Sequence, residues 1–376
     1  MLWILLFVAI YPYVVYPALV RLIAASRSRL PHKADVEPSV TVVIAAYNEA
    51  SVIGDTIRNK LQQNYPPERL QVVVVSDSSD DGTDQIVDDI AASDSRVRLL
   101  RQEPRQGKTA ALNRAIASAT TEIIIFSDAN SRYASDGIRK LVRYFADERV
   151  GYVTGRMVYT DSTGRSADDG SGAYMQYENQ LRLSEMRLGS IVGVDGGIDA
   201  VRRELYLPMR PDQLPDFVLP LGIVERGYRV VYEPDAILYE ASLASAASEF
   251  RMRVRVALRA LWALWDKRKL LNPFQFPLFS WQLASHKLLR YLSPIPLLFA
   301  FLLALAGAGD KGSHLFVLGL FATGCAGAML GSLEPFRRFR VLRLLHFFAV
   351  LNVSNLVACF RFLKRDKIVV WRPRLG

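Results

Sequence analysis

Acidic side chains recur in this chain at the points where apolar runs end. Residues 123–126, Ile-Ile-Ile-Phe, are β-branched and aromatic enough to predict a buried strand, and Ser127, Asp128 and Asn130 follow at once. In an open α/β sheet, ligands bind outside the carboxyl ends of the strands. An acid there, one residue from a second side-chain oxygen, is placed to hold a hard divalent cation. Two earlier apolar runs end in the same way. Residues 40–45 lead into Ala46, Tyr47, Asn48 and Glu49, and residues 72–75 lead into the acidic stretch 76–83, which contains Asp77. Lys108 adds a cation at the start of the helix that follows a short strand at 97–101. Carboxylates on such an edge can accept hydrogen bonds from a base and a ribose, while Lys108 and a metal can neutralise a diphosphate. One Asp at a strand end is more often a turn former or a helix cap. Five such polar side chains in register are much harder to dismiss.

The elements that position these residues alternate. A helical pattern spans about 50–63, and a second helix carries Ile86, Val87 and Ile90 on one face. A third, opening at residues 106–109, carries Ala111, Leu112, Ala115 and Ile116. Strand alternating with helix predicts a parallel, helix-covered α/β sheet. Beyond Asn130 the pattern gives a helix over 136–146, a strand over 151–157, a polar loop over 161–172 and a helix over 174–188. The Gly-rich stretch 193–203 follows, then a helix from Asp216 towards Gly227 and a strand over 228–232. There is no internal repeat. Walker A is absent, because no glycine stands six residues before Lys108, and no G-x-G-x-x-G follows the first strand. The four His are scattered, which removes zinc sites and most nucleophilic triads.

Composition points to a membrane. The chain has 376 residues, 51% of them hydrophobic, and a net charge of +10. Residues 251–290 and 333–376 together contribute +16, so the remainder sums to −6. The basic excess lies beside apolar runs, which is the pattern of a cytoplasmic membrane face and not of a nucleic-acid groove. Residues 1–20 carry no charge and Arg21 follows them, which predicts an uncleaved anchor. Residues 248–270 read as a basic amphipathic helix. The stretches 291–309 and 313–333 are good spanning candidates, while 341–360, with Arg343, His346, Asn352, Ser354 and Asn355, is weaker. Three C-terminal spans would place the basic tail outside, against the positive-inside rule. Cys325 and Cys359 sit in apolar runs and imply no disulfide framework.

The ordered set Ala46-Tyr-Asn-Glu49, the acidic run 76–83, the stretch 106–113 beginning Gln-Gly-Lys-Thr, Ser127-Asp-Ala-Asn130, Gly196-Gly197, Pro215-Asp216 and the stretch 227–236 resembles family 2 glycosyltransferases. It is similar to the membrane-embedded branch that includes cellulose, hyaluronan and poly-N-acetylglucosamine synthases. The resemblance implies a GT-A fold, Rossmann-like with a mostly parallel sheet, between N- and C-terminal transmembrane helices. It implies an anchor at 1–24, a GT-A domain at 38–245, interfacial helices at 246–290, membrane segments at 291–363 and a basic tail at 364–376. It further implies a multi-pass protein of the cell inner (plasma) membrane with a cytoplasmic catalytic domain.

Carried over by position, the resemblance implies that Ala46, Tyr47 and Glu49 line a base and ribose pocket, that Asp77 hydrogen-bonds the base or ribose, and that Lys108 sits near the nucleotide. Asp128 and Asn130 match a metal-binding D-x-D for Mg²⁺ or Mn²⁺. Gly196 and Gly197 match an acceptor loop, and Asp216 matches the general base. Arg253 and Arg255 match the arginines that steady the diphosphate. The chain departs from the pattern at Asn130, where Asp is usual, at Pro215 before the base, and around Arg253 and Arg255, where Met252 and Val256 replace Gln and Trp. The missing Trp weighs against processive synthesis more than against sugar transfer. The implied activity is inverting transfer from a UDP- or GDP-sugar to a glycan or lipid-linked acceptor in exopolysaccharide or envelope assembly. Non-processive transfer to a lipid-linked acceptor and an inactive nucleotide-sugar-binding scaffold are the rivals. Three or four spans are few for a polymer channel, which points to a synthase partner or a homo-oligomer.

Overall fold

The computed structural model describes residues 1–160, 170–241, 246–309, 312–336 and 338–368. Of the polar loop expected over 161–172, residues 161–169 lie outside the described residues, as do Arg372 and Arg374 of the basic tail, while 170–172 belong to a helix. The chain divides into two compact units. One, the sheet unit, comprises the described residues of Arg27–Ala167 and Arg182–Ser242; the other, the helical unit, those of Met1–Ser26, Asp168–Leu181 and Leu243–Lys367.

In chain order, α1 (Leu2–Ile10) and α2 (Val15–Ser26) come first. The alternating half follows as β1 (Val40–Ala46), α3 (Ile53–Leu61), β2 (Leu70–Ser76), α4 (Thr83–Ser93), β3 (Val97–Arg101), α5 (Lys108–Ala117) and β4 (Ile123–Asp128). Then come β5 (Arg132–Tyr133), α6 (Gly137–Val142), β6 (Val150–Thr160), α7 (Gly170–Leu188), β7 (Asp199–Arg202), α8 (Pro215–Glu225) and β8 (Arg229–Ala241). Helices α9 (Ala246–Asp266), α10 (Pro277–Leu283), α11 (Leu289–Leu292), α12 (Pro294–Ala306), α13 (Gly312–Ser332) and α14 (Arg340–Leu363) complete the chain.

The sheet order is β3-β2-β1-β4-β7-β6-β8-β5. Strands β1 to β4 pair in parallel, with Val42 level with Val72 on one side and Ile125 on the other. Their valines and isoleucines are buried because helices cover both faces, the usual setting of a parallel sheet. The expectation of a mostly parallel sheet holds only for this half. β7 runs antiparallel between β4 and β6, and β5 runs antiparallel to β8, so the sheet is mixed. β7 was not expected as a strand. Asp-Ala-Val-Arg is short and charged, and only the neighbours on both sides make it one. At the β6–β8 register shift, a Cβ on Gly155 would lie 2.4 Å from the Ala236 carbonyl oxygen.

The helical unit adds detail to three sequence expectations. The anchor at 1–24 is two helices bent by 53°, because Pro12 lies in the break and can neither donate to the helix nor fit its interior. The stretch 291–309 yields the 13 residues of α12, bent by 51° from the segment Pro277–Leu292, and only the two together are long and apolar enough to cross a membrane. The stretch that looked weakest gives the 24-residue α14. Two of its polar residues find partners within the unit: Asn352 meets the Ser293 hydroxyl at 2.9 Å and Asn355 donates to the Arg290 carbonyl at 3.1 Å. Among the described residues, α13 and α14 are each long and apolar enough to cross a membrane. Phe299, Leu305, Phe316, Leu320, Val353 and Phe360 are exposed on α12 to α14, an apolar surface suited to lipid.

Gly155→Ala should force β6 away from β8 and cost about 1–3 kcal/mol, as overpacking does. Thermal unfolding of the purified protein tests this, and an unchanged Tm would show that the strands have room to spare.

Candidate functional site

The carboxyl ends of β1, β2 and β4 carry the expected residues, and neighbouring elements fix their loops. The loop after β1 is clamped to the loop after β2. Asn48, at φ +54°, exchanges hydrogen bonds with Asp80, and the Thr83 hydroxyl accepts from the Glu49 amide at 2.9 Å. Helix α3 holds the loop after β4. The Thr56 hydroxyl donates to Ala129 O and the Lys60 ammonium to Ser131 O, each at 2.6 Å. Lys60 is buried with its ammonium 3.6 Å from the centre of the Tyr133 ring. Burial, helped by Arg132, holds its pKa well below the usual lysine value.

Asp77 organises the loop that delivers Lys108. Its carboxylate accepts from Gln102 Nε2 at 2.6 Å and from the Gln106 and Gly107 amides at 2.8 Å, and Arg105 lies 3.6 Å away. In this structure those partners occupy the side chain expected to meet a base or ribose. The Arg105 guanidinium also stacks over the Tyr47 ring at 3.4 Å. Ala46 is buried in the sheet, so its side chain serves the core.

Helix α5 does two jobs. Lys108 at its first position reaches Asp128 Oδ1 at 2.5 Å. Thr109 donates to Gln213 O at 3.0 Å, and Asn113 brackets Met209 through its carbonyl (2.7 Å) and its amide (3.0 Å). These contacts fix the segment running into Asp216, in the first turn of α8. The Gly196–Gly197 turn then lies against both acids. Both glycines have left-handed φ, +78° and +77°. A Cβ on Gly196 would sit 3.0 Å from the Asp216 carboxylate, and one on Gly197 would sit 3.6 Å from Asp128 Oδ2. The turn is tied down on both sides. Tyr133 Oη lies 2.8 Å from Gly197 O, and a buried bidentate pair joins Arg182 to Asp195 at 2.5 and 2.6 Å.

Sequence reasoning missed Asp199. It lies on β7, is fully buried, and neither of its carboxylate oxygens makes a well-formed hydrogen bond. Thr154 and Tyr152 stand beside it, and Asp216 is the like charge that acts on it most. Burial, then Asp216, push its pKa up to about 8, against Thr154 and Lys108. Burial works against the Lys108 charge, but Asp128, Asp216 and Asp199 outweigh it and hold its pKa above the usual value. No motif marks Asp199; only the inserted strand brings it here.

The oxygen donors at the end of β4 fit a hard cation. Asp128 and Asn130 offer a carboxylate and an amide oxygen, and the neighbouring Ser131 hydroxyl is buried without a partner beside Gly197. Among the described residues, no three His, Cys, Asp or Glu side chains converge as a ready metal cage. Arg253 and Arg255 belong to α9 in the helical unit. There Arg253 pairs with Glu249 at 2.6 Å and stacks over Phe347 at 4.3 Å.

The mixed sheet with this edge of acids is a GT-A-like fold. Residues 41–207 match the family model Glycosyl transferase family 2. The chain is 30% identical over 169 residues to beta-monoglucosyldiacylglycerol synthase of Trichormus variabilis, an alignment covering 44% of this chain and 36% of that one. It is 24% identical over 252 residues to poly-beta-1,6-N-acetyl-D-glucosamine synthase of Staphylococcus aureus, covering 64% and 59%. The chain thus spans roughly a third to three-fifths of these relatives' lengths. Among solved structures it is similar to the mannosyltransferase PcManGT from Pyrobaculum calidifontis in complex with GDP-Man and Mn²⁺. That match has 25% identity and a TM-score of 0.75, over 97% of this chain and 100% of that one.

The raised pKa of Asp199 has a consequence for stability. Between about pH 4 and about pH 8 the folded protein keeps a proton there that the unfolded chain has lost, so stability falls as pH rises through this window. Asp199→Asn should flatten that fall, read as Tm between about pH 5 and about pH 8. Equal slopes for the two proteins would mean that Asp199 is ionised in the fold.

Proposed function

We propose that the protein is an inverting, metal-dependent glycosyltransferase. It moves a sugar from a nucleoside-diphosphate donor to a glycan or lipid-linked acceptor at the cytoplasmic face of a membrane. The observation that carries this reading is the Gly196–Gly197 turn, which lies against Asp216 on one side and the Asp128–Lys108 pair on the other. Asp216 takes the proton of an acceptor hydroxyl. The acceptor oxygen attacks C1 of the donor sugar from the face opposite the diphosphate. The bond from C1 to the diphosphate oxygen breaks, and one displacement inverts the configuration. Lys108 stabilises the departing diphosphate charge, the electrostatic part of such catalysis. Asp128 and Asn130, with Ser131 beside them, would hold Mg²⁺ or Mn²⁺, which when bound supplies Lewis-acid neutralisation of the diphosphate. The mannosyltransferase of similar structure carries GDP-Man and Mn²⁺. A glycolipid synthase and a polysaccharide synthase among the relatives support both acceptor classes.

Asp216→Asn should lower transfer by about 10²–10⁴-fold while donor binding persists. Turnover of a panel of UDP- and GDP-sugars, with chelator and with Mg²⁺ or Mn²⁺ restored, measures this and the metal requirement together. Near-normal turnover by Asp216→Asn would remove it as the base. Absent turnover with intact donor binding by the unaltered protein would favour an inactive scaffold.

Packing within the helical unit supports a topology that agrees with the charge distribution. Helices α13 and α14 form an antiparallel pair, with Gly331 against Leu342 and Gly327 against Leu345. The far end of α14 lies on α9: Trp262 donates to Asp366 O at 2.7 Å and packs on Phe362 at 4.5 Å. The start of α13 and the tail therefore share the side of α9, so the bent segment α10–α12 turns back without crossing. Lys364, Arg365 and Lys367 then face the cytoplasm, as the positive-inside rule requires. In a background lacking Cys325 and Cys359, Lys364→Cys should react with an impermeant maleimide from the cytoplasmic side and Glu334→Cys from the opposite side. Labelling of both from one side would overturn this arrangement.

A further inference from the structure

Helix α3 turns one polar face towards the loop that carries Asn130 and Ser131. Thr56, Asn59 and Lys60 stand at i, i+3 and i+4, so they share one side of the helix. All three bind the backbone of residues 129–133. The Thr56 hydroxyl donates to Ala129 O and the Lys60 ammonium to Ser131 O, each at 2.6 Å. Asn59 accepts from the Tyr133 amide at 2.8 Å and donates to the Tyr133 carbonyl at 3.0 Å. Every second residue of the loop is thereby held through its main chain. The side chains of the loop are held less. Among the described residues, none hydrogen-bonds the side chain of Asn130 or of Ser131. Their oxygens therefore point where the backbone aims them.

Lys60 is fully buried, and its ammonium meets Ser131 O, Asn59 Oδ1 at 3.1 Å and the Tyr133 ring. These three contacts match the three donors of an ammonium. Asp128 favours its charge and Arg132 opposes it. Neither is in contact with it, and among the described residues no carboxylate pairs with it directly. A buried ammonium without a contacting acid destabilises a fold. An unbranched apolar side chain such as Met would fill the same space without that penalty. What the ammonium adds is a hold on the Ser131 carbonyl.

We propose that Lys60, with Thr56 and Asn59, is a positioning residue for metal binding, fixing the loop so that the Asn130 and Ser131 oxygens converge beside Asp128. The proposal rests on the metal-dependent reading of the site given above. Groups that orient ligands without touching the metal set its affinity through geometry. Asn130 needs this most, because a neutral amide oxygen attracts a divalent ion less than a carboxylate does. Removing Lys60 has two effects of opposite sign. Loss of a positive charge near Asp128 would by itself tighten binding of a cation. Loss of the hold on the loop would weaken it.

The test titrates Mn²⁺ into the full-length protein, alone and saturated with UDP or GDP, and reads binding by calorimetry. Hydrogen exchange of the amides at 129–133, without metal, reports the loop directly. Lys60→Met should weaken Mn²⁺ by about tenfold and speed exchange at Tyr133, while Tm stays level or rises. Thr56→Val keeps shape and charge but loses the donor, and should also weaken Mn²⁺ by about tenfold. Thr56→Ser keeps the hydroxyl and should bind as the unaltered protein does. Equal or tighter Mn²⁺ binding by Lys60→Met would overturn the proposal, as would equal affinities for Thr56→Val and Thr56→Ser. Should Lys60→Met fail to fold, the Thr56 pair decides alone. Absence of Mn²⁺ binding by the unaltered protein, with and without nucleotide, would overturn the metal reading and this proposal with it, so the two failures are told apart.

Discussion

The site depends on one ion pair, Lys108 with Asp128 at 2.5 Å. Asp128, Asp199 and Asp216 surround Lys108, and Asp195 lies near them with Arg182 as its own partner. Without a cation at their centre, repulsion between Asp128 and Asp216 and the cost of burying Asp199 would oppose closing the sheet edge. Lys108 reduces that repulsion from the first residue of α5. The same helix, through Thr109 and Asn113, ties down the segment carrying Asp216. One helix thus sets both the charge that the acids need and the position of the acid that faces them.

The glycine turn completes this arrangement sterically. Any side chain at Gly196 would crowd the Asp216 carboxylate, and the positive φ of both glycines disfavours other residues regardless of space. Tyr133 and the Arg182–Asp195 pair clamp the turn from opposite sides. Rigid support around a polar centre allows its charges to act without reorganisation at the moment of reaction.

Much of the sheet was legible in sequence because its central strands are uninterrupted β-branched runs. Residues 40–45, 72–75 and 123–126 can hardly fold otherwise. The acids after them were equally visible, since strand ends in alternating folds have fixed functional geometry. β7 and β5 were not legible. Each is short, and its pairing energy comes from neighbours far away in sequence. The helical unit shows a second kind of miss. Asn352 and Asn355 made α14 look weak, yet both find partners on the segment around Arg290 and Ser293. Hydropathy counts a polar side chain as a cost and has no means of knowing that a partner waits.

The sequence by itself determined the parallel half of the sheet, the series of polar residues at its edge, and the apolar, basic-flanked character of both ends. These are properties of local pattern: side-chain periodicity, β-branching and the run of charge. The tertiary structure alone decided that Asp199 joins Lys108 and Asp216, and that Asp77 braces the loop leading to Lys108. Those outcomes depend on which distant segments meet, and on the loss of water where they do. A carboxylate or an ammonium acquires its character from that burial, which no local pattern records.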